Sequence, residues 1–509
     1  MQKKSLIFFL LKLLKIPLTI ITLSITAKYF GVSIEKDIWL IGLAGIIMID
    51  TAIWGPVNET FRAKFIMLKE NQGEHKAINN AKSLIFYIFI FSVILLIFLE
   101  SFPKIPAQVF APGFNLVEQK KLQNMIQFIA PFLLINQFNL ISTAILNAYD
   151  VFYIPEISSL ATQLINIILI YFLGNILGVY SLAIALYISS FILLISLIVI
   201  LNKKCPHIFP KKIPDFVGFK FFFIFAMPFF IPYLIGQING FIERALASKL
   251  GFGTISILDF SKKIPEMLSF IMTTIILTML VPTLTKSFIK NDKINFEKDF
   301  QKTYQLGLLG IIFFCSIFIT EIGGNIIKIL YESKEISITK MNTIIFLSKI
   351  FSIAIIAVYS YIIFGMCLLS INKSKTYALW GTIAQVIVIV MNILLVDYLG
   401  IIIFPISFFL AHYISALFMF KHYPYDKNKI TLITIKYYIF GIITITLSYY
   451  CIKFLNYSYT ENITMKLIYI SCSISLTIII LYILGIIFNL NEIKSFNNII
   501  NKLYKKYLI

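Results

Sequence analysis

The sequence predicts an all-α polytopic membrane protein with about fourteen transmembrane helices. Its 509 residues are 59% hydrophobic and only 13% charged, with a mean hydropathy of +0.89. Soluble domains carry roughly 25% charged residues. The apolar residues also come in blocks of roughly 18 to 25, the helix length that crosses a hydrocarbon layer. The bilayer is therefore the expected solvent of most of this chain.

Polar breaks between the apolar blocks define the spans in order. The predicted spans lie near residues 5–29, 37–61, 81–100, 123–148, 156–174, 178–201, 217–243, 255–283, 305–321, 344–370, 376–396, 399–420, 434–454 and 465–488. The first block reads as a span and not as a signal peptide, because no small-residue cleavage site precedes its end near Phe30. Gaps of at most roughly 25 residues leave no room for a soluble domain.

The positions of the basic residues distinguish a membrane protein from a nucleic-acid binder. The net charge is +20, and all basic residues except Arg62 and Arg244 are lysines. Most of them fall in short loops and at the carboxyl terminus, on the segments that are cytoplasmic if the amino terminus is cytoplasmic. The sequence therefore predicts an inner-membrane protein with both termini in the cytoplasm and no nucleic-acid partner.

Signatures of catalysis and of metal binding are missing from the sequence. The five cysteines have no paired spacing, and there is neither a Gly-rich phosphate loop nor a paired His or Cys ligand set. We therefore expect no enzymatic activity and no metal site. One alternative is left open, since Glu35 and Asp37 could mimic the acidic pair with which integral-membrane glycosyltransferases bind a metal.

Ionisable residues inside predicted spans mark a cavity or a partner, because a charge in hydrocarbon costs about 2.5 to 3.5 kcal/mol on insertion scales. In the first span Lys12 and Lys15 are one turn apart, and the second span carries Asp37 and Asp50. These charges could pair between neighbouring helices or line an aqueous cavity. We take all four as candidate substrate-binding residues.

The eighth span holds the densest group of charges. Asp259, Lys262, Lys263 and Glu266 stand at i, i+3, i+4 and i+7, so they share one helical face and can form Asp–Lys and Lys–Glu pairs. A hydrophilic face with two cations suits an anionic headgroup such as a pyrophosphate. The alternative is an interfacial stretch that precedes a span starting near Met267.

Several strings resemble those of the MurJ/MviN lipid II flippases, a family within the multidrug/oligosaccharidyl-lipid/polysaccharide exporter superfamily. They are APGF at 111–114, APF at 130–132, ILNAY at 145–149, NGFIERALAS at 239–248 and VPTLT at 281–285. Their spacing and the fourteen-span count also match, and the resemblance covers about residues 5–420. It identifies a candidate member of that family.

The resemblance implies a fold of two six-helix lobes around a central hydrophilic cavity, followed by two extra helices that can form a groove for a polyprenyl tail. The implied domains are an N-terminal lobe at 1–201, a cytoplasmic linker at 202–216, a C-terminal lobe at 217–420, spans 13 and 14 at 421–488, and a cytoplasmic tail at 489–509. A monomer is expected, in contact with membrane lipids.

Only some of the cavity residues of that family have a matching residue in this sequence. Asp37 matches an acidic residue of the family, and Lys262 stands in place of an Arg in its eighth span. The first-span Arg positions are not reproduced, and an Arg position of the second span falls at or near Asp50. Since Arg offers phosphate a planar bidentate fork and Lys does not, the headgroup can differ from that of lipid II.

The leading hypothesis is a flippase that moves an undecaprenyl-pyrophosphate-linked glycan by alternating access, the glycan being a peptidoglycan precursor or an exopolysaccharide or O-antigen unit. No cofactor is expected beyond a coupling monovalent cation, for which Glu243, Asn392 and Asp397 are the candidate ligands. The alternatives are a multidrug or small-molecule cation antiporter of the same superfamily, and the glycosyltransferase considered above.

Overall fold

The computed structural model describes residues 2–149, 151, 153–206, 208–210, 212–276, 280–454, 463–494 and 497. Every regular element in this part of the chain is a helix, as predicted. Most of the tail predicted at 489–509 lies outside the described residues. Two compact units divide the chain. Unit 1 comprises residues 1–257, 333–336 and 392–401, and unit 2 comprises 258–332, 337–391 and 402–509.

The helices of unit 1 range from 7 to 39 residues, and the two longest, α1 and α2, continue through Pro17 and Pro56. They are α1 (Gln2–Phe30), α2 (Ile34–Gln72), α3 (Glu74–Ser101), α4 (Lys104–Phe110), α5 (Leu116–Ile129), α6 (Phe132–Ala148), α7 (Tyr153–Leu177), α8 (Tyr180–Lys204), α9 (Phe216–Ala226) and α10 (Phe230–Lys249). The bend of 42° between α5 and α6 falls at Pro131, one of the interruptions seen in the sequence.

Unit 2 and its borders contain the remaining helices. They are α11 (Thr254–Ile275), α12 (Val281–Ile289), α13 (Lys293–Phe318), α14 (Glu321–Tyr331), α15 (Ile338–Ser370), α16 (Ser374–Leu399), α17 (Ile403–Phe420), α18 (Lys427–Phe454) and α19 (Ile463–Ile487). No proline lies at the bend of 73° between α13 and α14. The amino end of α11 and the carboxyl end of α16 belong to unit 1.

Each unit has an aromatic and aliphatic core. In unit 1, Trp54, Phe61 and Phe65 of α2 pack with Phe222 of α9 and with apolar side chains of α3, α6 and α8. In unit 2, α15 is the most enclosed long helix and packs against α13 and α17, with Tyr304 and Tyr359 stacked at 6.1 Å between ring centroids. These cores place the polar helix faces described below.

The predicted number of spans is not confirmed. Within the described residues, eight helices are long and apolar enough to cross a membrane, or up to ten when each bent pair counts as one span. Helices do lie at the predicted positions, but α9 has only 11 residues, and the stretch 374–420, which contains α16 and α17, counts as one span. Unit 1 also includes α9 and α10, which pack on α2.

Candidate functional site

A polar seam joins α1 to α7 inside unit 1. Lys15 Nζ lies 2.5 Å from Glu156 Oε2, and the two side chains are 31% and 18% exposed. One turn further, Gln163 donates to the Thr19 hydroxyl at 3.0 Å. Lys15 is therefore already paired by a carboxylate that sequence reasoning did not single out. Lys12 lies on α1, but its side chain is outside the described part.

Asp50 of α2 forms a second polar contact, with α6. Its side chain is 1% exposed, and its two oxygens accept from the amides of Asn136 (2.7 Å) and Gln137 (2.5 Å). The Gln137 oxygen in turn accepts from Asn58 at 3.3 Å. Among the described residues, no cation lies within ion-pair distance of Asp50. This carboxylate is therefore buried with amide donors alone.

Asp37 binds the amino end of α11. Its Oδ2 accepts from the backbone N–H of Gly253 at 2.6 Å, while Oδ1 accepts from the N–H and the hydroxyl of Ser256 at 2.8 and 2.5 Å. The first N–H groups of a helix have no intrahelical acceptor, and the helix dipole favours an anion there. Asp37 has no exposed surface. In this conformation its oxygens are occupied by protein donors.

Two of the strings that carry the family resemblance meet in unit 1. The N–H of Gly113, in the APGF segment, donates to the Ser248 hydroxyl at 3.2 Å. A Cβ at position 113 would lie 2.4 Å from the Ser248 carbonyl oxygen. Only glycine permits this approach, since real Cβ contacts are longer. The contact gives a physical reason for both strings.

The four charged residues of α11 lie on one continuous helix, which begins at Thr254 and runs past Met267. Lys262 Nζ is 3.9 Å from Glu266 Oε1, with the two side chains 18% and 50% exposed. The predicted Lys–Glu pair is thus present but loose. Asp259 forms no ion pair within the described part of the chain, and Lys263 is half-buried.

A proline shapes the opposite face of α11. Pro265 has no N–H, so the Ser261 carbonyl one turn earlier loses its usual donor. The Ser348 hydroxyl of α15 supplies one at 3.0 Å, and the Ser261 hydroxyl donates to the Ile344 carbonyl at 3.3 Å. These contacts hold α11 against α15 by its Ser261 face. The charged face of α11 takes no part in these two hydrogen bonds.

The proposed cation ligands are only partly brought together. Glu243, Asn392 and Asp397 all belong to unit 1, and Asn392 has no exposed surface. Asp397 is exposed and stands five residues after Asn392, about 140° around the helix. Asp397 therefore does not share a face with Asn392. In the described residues, no group of three His, Cys, Asp or Glu side chains could hold a metal ion.

The acidic pair considered for a glycosyltransferase is also split. Glu35 is exposed and pairs with Lys121 at 3.2 Å, whereas Asp37 is buried against Gly253 and Ser256. Residues two apart on a helix point about 200° apart, so the two carboxylates diverge. This geometry gives no support to a shared metal ion at the pair.

Comparisons with known proteins place the fold. Among solved structures, "Lipid II flippase MurJ, inward closed conformation" has a TM-score of 0.79 at 20% identity and covers 94% of this chain and 99% of that one. An inward-facing multidrug resistance MATE transporter has a TM-score of 0.67 at 13% identity, covering 82% and 95%. A transporter of the same superfamily from Pyrococcus furiosus has a TM-score of 0.57 at 13% identity, covering 82% and 93%.

None of the curated proteins matches this sequence. The sequence model of the family described as "Lipid II flippase MurJ", however, matches residues 26–489, which is most of the chain. Both the family match and the fold agree with the resemblance seen at the motifs. The chain therefore belongs to the MurJ family of lipid II flippases.

Proposed function

We propose that this protein moves an undecaprenyl-pyrophosphate-linked glycan from the cytoplasmic to the periplasmic leaflet by alternating access. The observation that carries the proposal is the family match over residues 26–489, which a fold similar to that of a MurJ structure supports. The protein acts as a monomer in the inner membrane with both termini in the cytoplasm. It changes the position of its lipid and makes or breaks no covalent bond.

The α11 face supplies the headgroup contacts in this proposal. Lys262 and Lys263 are half-buried cations in mid-helix, and an ammonium contacts a pyrophosphate as a point charge. Lys262 lies 3.9 Å from Glu266 of the same helix, so both charges belong to the α11 face.

Energy comes from the membrane potential or from a coupling monovalent cation. Asn392 and Glu243 are the proposed ligands for that cation, because both belong to the same compact unit and both offer oxygen atoms. Replacing Asn392 with Leu is expected to abolish any stimulation of transport by Na⁺ and to leave potential-driven transport in place. Stimulation that survives this substitution would remove Asn392 from the proposal.

Liposomes that contain the purified protein test the function directly. Fluorescent lipid II and a second undecaprenyl-pyrophosphate oligosaccharide are supplied in one leaflet, and their arrival in the other is followed with a membrane-impermeant quencher. We expect transport of at least one donor, and loss of transport in K262Q/K263Q but not in K375Q, which changes an exposed lysine at the start of α16. Movement of neither donor by the wild type would refute the proposal.

A second candidate is a small-molecule cation antiporter, and one observation favours it. Lys15 is neutralised by Glu156 in the contact between α1 and α7. In the contact between α2 and α6, the buried Asp50 has no cation within ion-pair distance in the described part of the chain. The described polar groups of these two contacts therefore carry a net negative charge. A cationic drug would then not be repelled. Drug susceptibility of cells with and without the protein distinguishes the two candidates, because a flippase alone leaves it unchanged.

A further inference from the structure

A cavity of about 850 Å³ lies in unit 2 at the ends of three elements. Its walls come from the first four turns of α13, from Lys429 in the first turn of α18, and from Asn491 and Glu492, which follow α19. Two contacts hold the last wall in place. The Tyr437 hydroxyl donates to the Glu492 carboxylate, and Lys436 Nζ donates to the Asn489 carbonyl at 3.3 Å.

The polar lining follows from the pattern of α13. Lys298, Gln301, Lys302 and Gln305 stand at i, i+3, i+4 and i+7, so they share one face of that helix. The opposite face carries Phe296, Phe300 and Tyr304, which are fully buried in the core of unit 2. The core therefore turns the two lysines and the two amides into the cavity.

The charges of the cavity favour an anion. Its lysines, Lys298, Lys302 and Lys429, are exposed and form no ion pair with any described residue. Of its two carboxylates, Glu492 accepts from Tyr437, whereas Glu297 lies 3.9 Å from Lys293 and its Oε1 is buried without a hydrogen bond. The three lysines outnumber the two carboxylates, so the charges that line the cavity sum to a net positive charge.

An unused hydrogen-bond donor points to a ligand independently of the charges. The amide nitrogen of Gln301 is buried and has no acceptor in the described structure. A buried N–H without an acceptor costs about 1 to 3 kcal/mol. A phosphate oxygen beside Lys298 and Lys302 would satisfy it, since phosphate offers several strong acceptors.

The edge of the cavity beside Leu306 is apolar. Leu306 lines it, is 47% exposed, and follows Lys302 by one turn, where the apolar run of α13 begins. Ile294 also lines the cavity at the start of α13, but from Lys298 to Leu306 the lining changes from cationic to apolar, as an interface between headgroups and acyl chains does. A free anion would contact only the lysines and amides of the cavity, whereas a phospholipid would contact these groups and also Leu306.

We propose that this cavity binds the phosphate of an anionic glycerophospholipid, with Lys298, Lys302 and Lys429 around the headgroup, Gln301 donating to a phosphate oxygen and Leu306 against the start of an acyl chain. The lipid ties α13 to α18 and to the segment after α19. The proposal is independent of the cargo, because none of these residues lies on the α11 face.

Native mass spectrometry of the full-length protein with phosphatidylglycerol tests this site. The variant K298Q/K302Q/K429Q removes the three cavity lysines, and K286Q/K290Q/K427Q removes three lysines of the same regions that do not line the cavity. A juxtamembrane lysine strengthens binding to anionic lipid about fivefold. We therefore expect the affinity for phosphatidylglycerol to fall at least about tenfold in the cavity variant and less than about twofold in the control.

Two further measurements make the proposal falsifiable. Gln301→Met keeps the volume and every charge but removes the unpaired donor, and it is expected to weaken phosphatidylglycerol binding about fivefold. Equal losses in the cavity variant and the control would overturn the proposal, because they would show a general attraction to a basic surface. Thermal stabilisation by inorganic phosphate that equals that by phosphatidylglycerol and needs the same lysines would overturn the lipid assignment.

Discussion

The polar groups inside unit 1 and those on α11 in unit 2 are bonded very differently. Asp37 accepts three hydrogen bonds, Asp50 accepts two, and Lys15 lies 2.5 Å from Glu156. On α11 the ion pair between Lys262 and Glu266 spans 3.9 Å, and Glu266 is half exposed. The described contacts of these charges in unit 1 therefore join different helices, whereas the described ion pair on α11 lies within one helix.

This difference separates two uses of an intramembrane charge. A fully bonded group holds the helices together, so its loss should destabilise the fold. A loosely bonded group contributes little to stability, so its loss should act on transport. Four predictions test that division, and they follow in order of the expected effect on stability.

Asp37→Ala should have the largest effect on stability. It leaves the N–H groups of Gly253 and Ser256 without their acceptor, and hydrogen bonds to a charged group contribute about 1.5 to 3 kcal/mol each. We expect the free energy of unfolding to fall by at least about 3 kcal/mol in denaturant titrations in mixed micelles. Glu35→Ala is the control. It removes only the exposed ion pair with Lys121, so it should lower the free energy of unfolding by less than about 1 kcal/mol.

Gln137→Leu should have the second largest effect and lower the free energy of unfolding by about 2 to 3 kcal/mol. The reason is that one oxygen of the buried Asp50 loses its donor. In an Asp50→Leu background Gln137 no longer has a carboxylate to donate to, so Gln137→Leu should cost at least about 1 kcal/mol less there. A double-mutant cycle in the same titration measures this difference. Purely additive effects would contradict the assignment of this contact.

Ser348→Ala should cost about 1 kcal/mol, since the Ser261 carbonyl loses the donor that replaces the missing N–H of Pro265. In a Pro265→Ala background the helix itself supplies that donor, and Ser348→Ala should then be close to neutral. A double-mutant cycle measures the coupling. Purely additive effects would show that the hydroxyl acts in some other way.

The double variant K262Q/K263Q should have the smallest effect on stability, below about 0.5 kcal/mol, because an i, i+4 pair contributes only that much. Its transport of a pyrophosphate-linked lipid should nevertheless fall at least about tenfold, which corresponds to one lost charge-assisted contact. Parallel stability and liposome assays separate the two effects. A variant that unfolds and loses transport together would erase the distinction between the two units.

Local features were predictable from the sequence. The all-helical class and the single charged face of α11 each depend on spacing within a few residues. The partners of the buried charges were not. Glu156 lies 141 residues from Lys15, and Gln137 lies 87 residues from Asp50. No local period encodes such pairings, although Asn136 and Gln137 in the middle of an apolar helix were a signal that could have been used.

The count of spans shows the same limit. Composition predicts which blocks are apolar, but the cores decide where a helix breaks. The bend of 73° between α13 and α14 has no proline and coincides with the end of the span predicted at 305–321, but the sequence does not show that the helix resumes at Glu321 at that angle. The Lys262–Glu266 pair was predicted correctly because both partners lie on one helix.

The bond between Asp37 and Gly253 has a consequence for biogenesis. Its partners are 216 residues apart, and ribosomes add about 5 to 20 residues per second, so Asp37 waits about 10 to 40 s for its donors. During that time α2 carries a carboxylate that nothing in the nascent chain has yet satisfied. The early helices therefore gain their final stability only when translation passes Ser256, and a chain that stops before that residue should be a substrate for membrane proteases.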